Sequence, residues 1–161
     1  MNKLIYIFFL FSCSTSSQSN GQDLIGVWQK DSKEIGGDSE LDRYHFFGDG
    51  GFIYYFNGYD GANRTLAIKG TYENKSNGDL IFKVTSFVEV QGGLFSKLST
   101  SGEHNGWAIV DHGEIREVKQ QQEVISSYQK CEKGDPKVLC IIIDDDKFYK
   151  IDTTPKDIFK K

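Results

Sequence analysis

The sequence is poor in the residues that dominate metal centres, catalytic dyads and nucleic-acid interfaces. It has three histidines and three cysteines in 161 residues, and 19 basic against 23 acidic residues give a formal net charge of -4. A domain that binds nucleic acid presents its positive charge as a patch or stripe, whereas the basic residues here are scattered along the chain. We therefore predict no nucleic-acid partner.

Proline is also scarce, with two residues, while glycine, with 17, and aromatic side chains, at 14%, are abundant. This mixture favours many strands joined by glycine turns. Once a short N-terminal leader is set aside, the remaining length fits one domain with one sizeable core.

No apolar run is long enough to cross a membrane. Residues 4–11 form an apolar stretch of eight residues, whereas a spanning helix needs roughly 20. This stretch follows the positive charge of Lys3 and ends at Ser12, directly before Cys13. The pattern resembles a bacterial lipoprotein signal, in which signal peptidase II cuts before the cysteine and the thiol carries diacylglycerol. We therefore predict a signal peptide over residues 1–12 and lipidation of Cys13.

Export is expected under a second interpretation as well, because an ordinary secretory signal could be cut within residues 14–22. Residues 13–22 are mostly small and polar, which is typical of a flexible tether. The folded domain is predicted over residues 23–161. We expect the protein in the cell envelope, attached to a membrane through its N-terminal lipid on the periplasmic or outer-membrane side.

Cys131 and Cys140 remain as an even pair once Cys13 is lipidated or removed. The segment between them contains Gly134 and Pro136, which favour a turn, so a hairpin would place the two thiols opposite each other. In the oxidising compartment of an exported chain we predict a disulfide. Two buried reduced thiols are the alternative.

Apolar and polar residues alternate along most of the chain, which predicts strands and no substantial helix. Asp49-Gly50 predicts a tight hairpin between two of these strands. Residues 91–105 are weakly patterned and are predicted to be a long loop, a candidate lid at a cavity mouth. The predicted strands span residues 24–30, 43–47, 52–56, 66–73, 80–90, 107–110, 114–119, 124–130, 138–143 and 147–152.

Eight to ten short antiparallel strands in sequence order predict an all-β, up-and-down meander. Such a meander removes its exposed edges by closing into a barrel. At about eight strands the interior holds packed side chains or one small ligand. A β-sandwich is the alternative architecture.

Three landmarks lie in the first half of the chain, at residues 26–28, 46–52 and 70–80, and together they resemble the small bacterial lipocalin-like lipoproteins. Gly26-Val27-Trp28 is similar to the Gly-x-Trp motif of their opening strand, residues 46–52 to their aromatic-x-x-Asp-Gly hairpin, and residues 70–80 to their Gly-Thr-Tyr strand with its Asn-rich turn. The match covers residues 24–84. It implies a lipocalin-like (calycin-type) barrel in which Gly26 and Trp28 are structural.

The resemblance also implies a basic partner for Trp28 at the closed end of the barrel, with Lys147 and Lys150 as the candidates. At the open end it implies a cup for a small apolar molecule. The candidates to line the cup are Tyr54, Phe56, Tyr72 and Phe82, for which plain core packing is the alternative.

The predicted function is therefore that of an exported, lipid-anchored binding protein for a small apolar ligand. The alternative is a protein-interaction module of the envelope, such as an enzyme inhibitor or an immunity-type protein. That alternative predicts a filled barrel and a surface loop, such as residues 91–105, that meets a protein partner.

Catalytic patterns are weak, so we predict neither an enzyme nor a cofactor. Ser101 and His104 occur in one segment, but a serine hydrolase needs its nucleophile at a strained turn, and no Gly-x-Ser-x-Gly motif is present. His45 lies on a predicted strand and is interpreted as a half-exposed surface residue.

Metal-binding patterns are equally weak, and no metal site is predicted. Asp144-Asp145-Asp146 could offer oxygens to calcium but lacks the glycine and the distal glutamate of an EF-hand loop, so it is predicted to be a hairpin turn. Imidazole and carboxylate ligands suit zinc, but the best candidates have no regular spacing and are interpreted as solvated loop residues. These candidates are Glu103, His104, Asp111, His112 and Glu114.

Overall fold

The computed structural model describes residues 21–34, 41–57, 63–97, 107–131 and 138–160. These residues form eight β-strands and no α-helix, with a short 3-10 turn at Gly21–Leu24. No helix among them is long and apolar enough to cross a membrane. The strands are β1 (Gly26–Lys30), β2 (Arg43–Phe46), β3 (Gly51–Tyr55), β4 (Thr65–Asn74), β5 (Asp79–Lys97), β6 (Trp107–Lys130), β7 (Cys140–Ile143) and β8 (Asp146–Asp152).

The eight strands form one antiparallel sheet that closes into a ring. Each strand pairs with the next in sequence, and β8 pairs with β1. The all-β meander predicted from the alternation is therefore confirmed. Between β6 and β7 the ring closes through only three residue pairs, from Tyr128↔Ile143 to Lys130↔Ile141.

Two predicted hairpin turns are confirmed by the backbone. Gly50 in the β2–β3 turn has a φ of 84°, which suits a residue without Cβ. Asp144 and Asp145, at φ of 49° and 70°, form the two-residue turn between β7 and β8. The Asp144 carboxylate accepts the N–H of Ser127 at 2.8 Å, so this turn is fastened to β6.

The second half of the sheet differs from the prediction. The loop and lid predicted at residues 91–105 are wrong for residues 91–97, which continue β5, and residues 98–105 lie outside the described residues. The three separate strands predicted within residues 107–130 are the single strand β6. Most described side chains of β6 are exposed on both faces, so the alternation that marks a half-buried strand is missing there.

Buried side chains lie on both faces of the sheet. Along β3, Phe52 and Tyr54 point into the ring, whereas Ile53 and Tyr55 point outward and are still buried. Phe159 of the C-terminal segment, residues 153–160, packs on this outward cluster and covers it.

His45 also lies beneath the C-terminal segment, and its prediction as a half-exposed residue is wrong. Its side chain is 9% exposed, its Nδ1 lies 2.9 Å from the carbonyl oxygen of Lys156, and its ring meets that of Tyr55 edge-on at 4.6 Å. Alternation along β2 predicted a wet outer face, but a segment more than 100 residues away covers it.

Gly26 and Trp28 occupy the seam where β1 meets β8. The Trp28 Nε1–H donates to the carbonyl oxygen of Leu24 at 2.6 Å, and the Lys150 ammonium lies 5.4 Å from the Trp28 ring centroid. Lys150, rather than Lys147, is therefore the cation over this ring. A Cβ on Gly26 would lie 2.5 Å from Cε of Lys150 and 2.6 Å from the carbonyl oxygen of Asp152, so only glycine fits here.

Cys131 and Cys140 form a disulfide, with their Cα atoms 5.4 Å apart, at the junction of β6 and β7. The N–H of Cys131 donates to the carbonyl of Cys140 at 3.2 Å, which continues the ladder beside the bridge. The predicted pairing is confirmed. The bridge fastens the place where the ring closes through the fewest residues.

Removing the bridge is expected to weaken this closure. The double variant Cys131→Ser, Cys140→Ser should lower the free energy of unfolding by about 2 to 3 kcal/mol, because the unfolded chain regains the entropy of an open loop. Urea denaturation measures this loss, and unsubstituted protein under reducing conditions should show a similar one. A loss below about 0.5 kcal/mol would mean that the bridge does not constrain the unfolded chain.

Candidate functional site

Three of the four residues predicted to line a cup lie inside the ring in an aromatic cluster. Phe82 is 4% exposed and meets the Phe52 ring at 4.7 Å, and Tyr72 meets Phe46 at 4.7 Å. The Tyr54 hydroxyl donates to Asp42 at 2.9 Å. Phe56 follows β3 and packs edge-on against Tyr54 at 5.1 Å. All four side chains contact other aromatic rings.

Tyr44 lies at the centre of this cluster. Its ring centroid is 4.5 Å from that of Tyr54, 5.1 Å from Phe148, 5.2 Å from Phe46 and 5.5 Å from Phe82. Such centroid separations are those of aromatic pairs in direct contact. Burial raises the pKa of the Tyr44 hydroxyl well above its ordinary value. The rings themselves occupy the centre of the described interior.

Buried polar side-chain atoms of the described residues form hydrogen bonds with other groups of the protein. No buried side-chain nitrogen or oxygen among these residues lacks a hydrogen-bond partner. Gln29 is an example, because its side-chain oxygen accepts from Arg43 and its amide donates to the carbonyls of Ser32 and Glu34. The fully buried polar side-chain atoms of the described residues are therefore already paired within the fold.

An open groove of about 760 Å³ lies on the outer face, beside the C-terminal segment. Lys69 projects into it with 14% of its side chain exposed, 2.8 Å from Asp157 and 3.5 Å from Glu117. Ser86 donates to the other oxygen of Glu117 at 2.5 Å. Burial alone would raise the pKa of Asp157, but the Lys69 ammonium and the N–H of Phe159 together lower it. The groove therefore holds an ion-paired network that fastens the C-terminal segment.

No pattern in the sequence predicted this groove. The four residues of its polar network, Lys69, Ser86, Glu117 and Asp157, come from β4, β5, β6 and the C-terminal segment, and the sheet register brings them together. Ser86 donates its hydroxyl directly to the Glu117 carboxylate. This pair is not the serine, histidine and carboxylate arrangement of a nucleophilic site.

The buried His45 makes the attachment of the C-terminal segment depend on pH. Burial lowers the pKa of His45 below 6.5, although the hydrogen bond with the Lys156 carbonyl partly opposes this. The fold therefore favours the neutral ring, and its stability falls as the pH drops below the unfolded pKa. We expect unfolding free energies measured by urea from about pH 7.5 to about pH 5.5 to decrease for the unsubstituted protein.

The variant His45→Asn removes this titration and should flatten the slope over the same pH range. Asp157 contributes in a separate, lower window, because a lowered carboxyl pKa gives stability that is lost only as the pH falls through that pKa. An identical slope in the variant and in the unsubstituted protein would contradict the role given to His45.

The strongest departure from a closed sheet is one edge of β6. Within the described ranges, β7 pairs only with residues 128–130, and no strand pairs with this edge of β6 from residue 107 to residue 126. Three of the described apolar side chains on β6 are exposed, Ile115 at 59%, Val124 at 37% and Ile125 at 64%. We call residues 107–126 the open edge of β6.

The described structure does not bring together most of the residues that were weighed as zinc ligands in the sequence. Glu103 and His104 lie outside the described residues, as do Ser101 and the predicted lipidation site Cys13. His112 is exposed at a φ of 63°, and Glu114 is paired with Arg116 at 2.5 Å. No group of three or more histidine, cysteine, aspartate or glutamate side chains among the described residues could hold a metal ion.

Comparisons with protein-family models, with curated proteins and with solved structures find no match. The lipocalin-like family therefore stays a prediction from the landmarks in β1 to β5. The aromatic cluster inside the ring and the open edge of β6 are the features from which a function can be argued.

Proposed function

We propose that this chain is an exported, lipid-anchored protein-interaction module of the cell envelope that binds a protein chain along the open edge of β6. The observation that carries the proposal is the contrast between the aromatic interior, which is occupied by the chain's own side chains, and β6, whose outer edge has no strand beside it in the described structure. Binding at an edge needs no cavity.

An open strand edge is suited to recognition because its unpaired N–H and C=O groups accept another strand. The same groups make an edge prone to indiscriminate pairing, and proteins limit this with charged side chains. The open edge of β6 has such charges in Glu114, Arg116, Glu117, Lys119 and Glu123. It therefore combines backbone groups for affinity with side chains that select the partner.

The lipocalin-like barrel type belongs to the same proposal. Its support is the seam between β1 and β8, where Trp28 lies under Lys150 and Gly26 allows the close approach of that side chain. A lipid on Cys13 and the tether over residues 13–22 would hold this barrel near a membrane, with its open edge accessible to other envelope proteins.

The competing function, a carrier of a small apolar ligand, requires an interior with room for that ligand. Tyr54, Tyr72 and Phe82 would have to separate from their aromatic neighbours before a ligand could enter. Native mass spectrometry of the full-length chain should show no small molecule that is lost on denaturation. A stoichiometric excess mass would favour the carrier.

A photo-reactive residue tests the edge directly. Placed at Ile115 of the full-length chain in intact cells, it should form adducts with a protein chain. At Ile158, which is 68% exposed on the C-terminal segment, it should form none above background. Equal adducts from both positions, or none from Ile115, would contradict the proposed function.

A further inference from the structure

We propose that the partner of the open edge is a second copy of this chain, and that two β6 strands pair antiparallel around a two-fold axis at Ile115. This inference rests on the proposed function, because it names the chain that the edge binds. This pairing would join the ring-closed sheets of the two copies into one continuous sheet.

The backbone of β6 faces outward at Ile115. Across the ladder its partner is Val90, whose N–H donates to the carbonyl of Arg64 and whose carbonyl accepts from the Arg64 side chain, so both groups of Val90 point away from β6. In an antiparallel ladder, two residues opposite each other without mutual hydrogen bonds both direct their groups away from the pair. The N–H and C=O of Ile115 therefore point to the open edge.

The ladder is less regular two residues away. Gly113 is opposite Gly92, whose carbonyl accepts from Arg64 at 2.6 Å and so also points away from β6. Because Gly92 has a φ of 69°, outside the strand region, this carbonyl does not fix the direction of the Gly113 backbone, and Ile115 is the residue at which the ladder establishes outward N–H and C=O groups. A copy of β6 with its axis at Ile115 presents the same groups in return.

The charges beside the axis are complementary in this register. With Ile115 opposite Ile115 of the partner subunit, Glu114 lies opposite Arg116 of the partner subunit, and the two-fold axis repeats the pair. Glu114 and Arg116 already form an ion pair within one chain. The dimer would therefore assemble four alternating charges on one face of the sheet, and opposite charges directly across a ladder are favourable.

Three of the nearby registers lack this complementarity. An axis at Glu114, Arg116 or Glu117 would place that residue opposite its own copy, and like charges in this position are destabilising. An axis at Ile115 also places Glu117 opposite Gly113 of the partner subunit, which has no side chain. Glu117 therefore keeps its hydrogen bond with Ser86 and its contact with Lys69.

The axis also covers an apolar side chain that the single chain leaves in water. Ile115 is 59% exposed, and opposite residues of a ladder place their Cβ atoms about 5 Å apart, so the two copies would shield each other. The observations of backbone direction, charge and apolar exposure thus agree on one axis.

Thiol cross-linking of the full-length chain tests the axis. Ile115→Cys, treated in intact cells with a short bifunctional maleimide, should give a species of twice the chain mass. Ile125→Cys is the matched control, since Ile125 lies on the same strand and is 64% exposed. With the axis at Ile115, the two copies of residue 125 are roughly 65 Å apart, calculated from the rise per residue of a strand. The unsubstituted chain, treated in the same way, measures the cross-linking that arises from the natural cysteines.

A charge exchange tests the register. In the Ile115→Cys chain, Arg116→Glu should reduce the dimeric species about tenfold, because it puts two like-charged pairs across the axis. Adding Glu114→Arg restores opposite charges and should restore the dimer. Thermal unfolding followed by circular dichroism verifies that each variant folds as the parent does, so that a lost dimer reports the edge.

Each other outcome overturns the inference. Equal dimer from Ile115→Cys and Ile125→Cys would mean no defined axis, and an unchanged yield after Arg116→Glu would exclude this register. If the photo-reactive residue at Ile115 forms adducts only with a protein of different mass, the second copy is excluded while the proposed function stands. If it forms no adduct, both fail.

Discussion

Replacing Phe82 by alanine is expected to lower the free energy of unfolding by about 3 to 5 kcal/mol, the range of large buried aromatics truncated in packed cores. Phe82 is 4% exposed, and its ring contacts those of Tyr44, Phe46 and Phe52. The neighbouring rings are held by β2 and β3 and cannot collapse into the space that is left. Urea denaturation of the variant and of the unsubstituted protein measures the loss.

The same variant separates a filled ring from a hollow one. If the interior is filled, Phe82→Ala creates an apolar cavity, which should bind benzene and recover part of the lost stability. Ile125→Ala, at an exposed position, is the control and should change the free energy by less than about 0.5 kcal/mol. A loss below about 1 kcal/mol at Phe82 would mean that its side chain borders open space, and would favour the ligand carrier.

The first half of the fold could be predicted because its strands are apolar or alternating segments that keep local turn signals. β2 and β3 flank the Asp49-Gly50 turn, and β4 and β5 are separated by a turn that ends at Gly78 with a φ of 89°. The disulfide was predictable for a similar reason, since a short hairpin limits which cysteines can meet.

The long ribbon of β5 and β6 could not be predicted in the same way. Beyond Glu89, β5 has no β4 partner, so both faces of the ribbon are largely solvated and its polar residues carry no period of two. Gly92 and Gly93 favour a loop when the sequence is considered alone. In the structure Gly92, Gly93 and His112 do have positive φ angles, yet the ladder between β5 and β6 continues past them.

Features that depend on distant segments were missed for a different physical reason. His45 is buried by a C-terminal segment whose only strong apolar contact is Phe159, and Lys69 reaches Asp157 across 88 positions of sequence. Local periodicity describes which face of a strand is apolar but says nothing of what later covers the other face. The open edge of β6 was missed similarly, because a meander of eight strands predicts complete closure.

Gly70→Ala is expected to lower the free energy of unfolding by about 3 kcal/mol. The reason is that β4 and β5 approach each other closely at Gly70, which has no Cβ. A Cβ at this position would lie 2.1 Å from the carbonyl oxygen of Lys83 and 2.9 Å from the Cα of Val84. The atoms in contact are backbone, so no side chain can move aside. The register between β4 and β5 shifts at Lys69 and Gly70, which brings the strands this close.

The direction of this change is informative because alanine normally stabilises a strand relative to glycine by about 0.5 to 1 kcal/mol. Gly48→Ala is the matched control, since its Cβ would meet only Cδ1 of Ile25 at 3.6 Å, an ordinary contact. Urea denaturation should show a large loss at Gly70 and little change at Gly48. A neutral Gly70→Ala would mean that β4 and β5 can separate freely at the bulge, and hence that Lys69, the next residue, is not fixed in the outer groove by the register of the sheet.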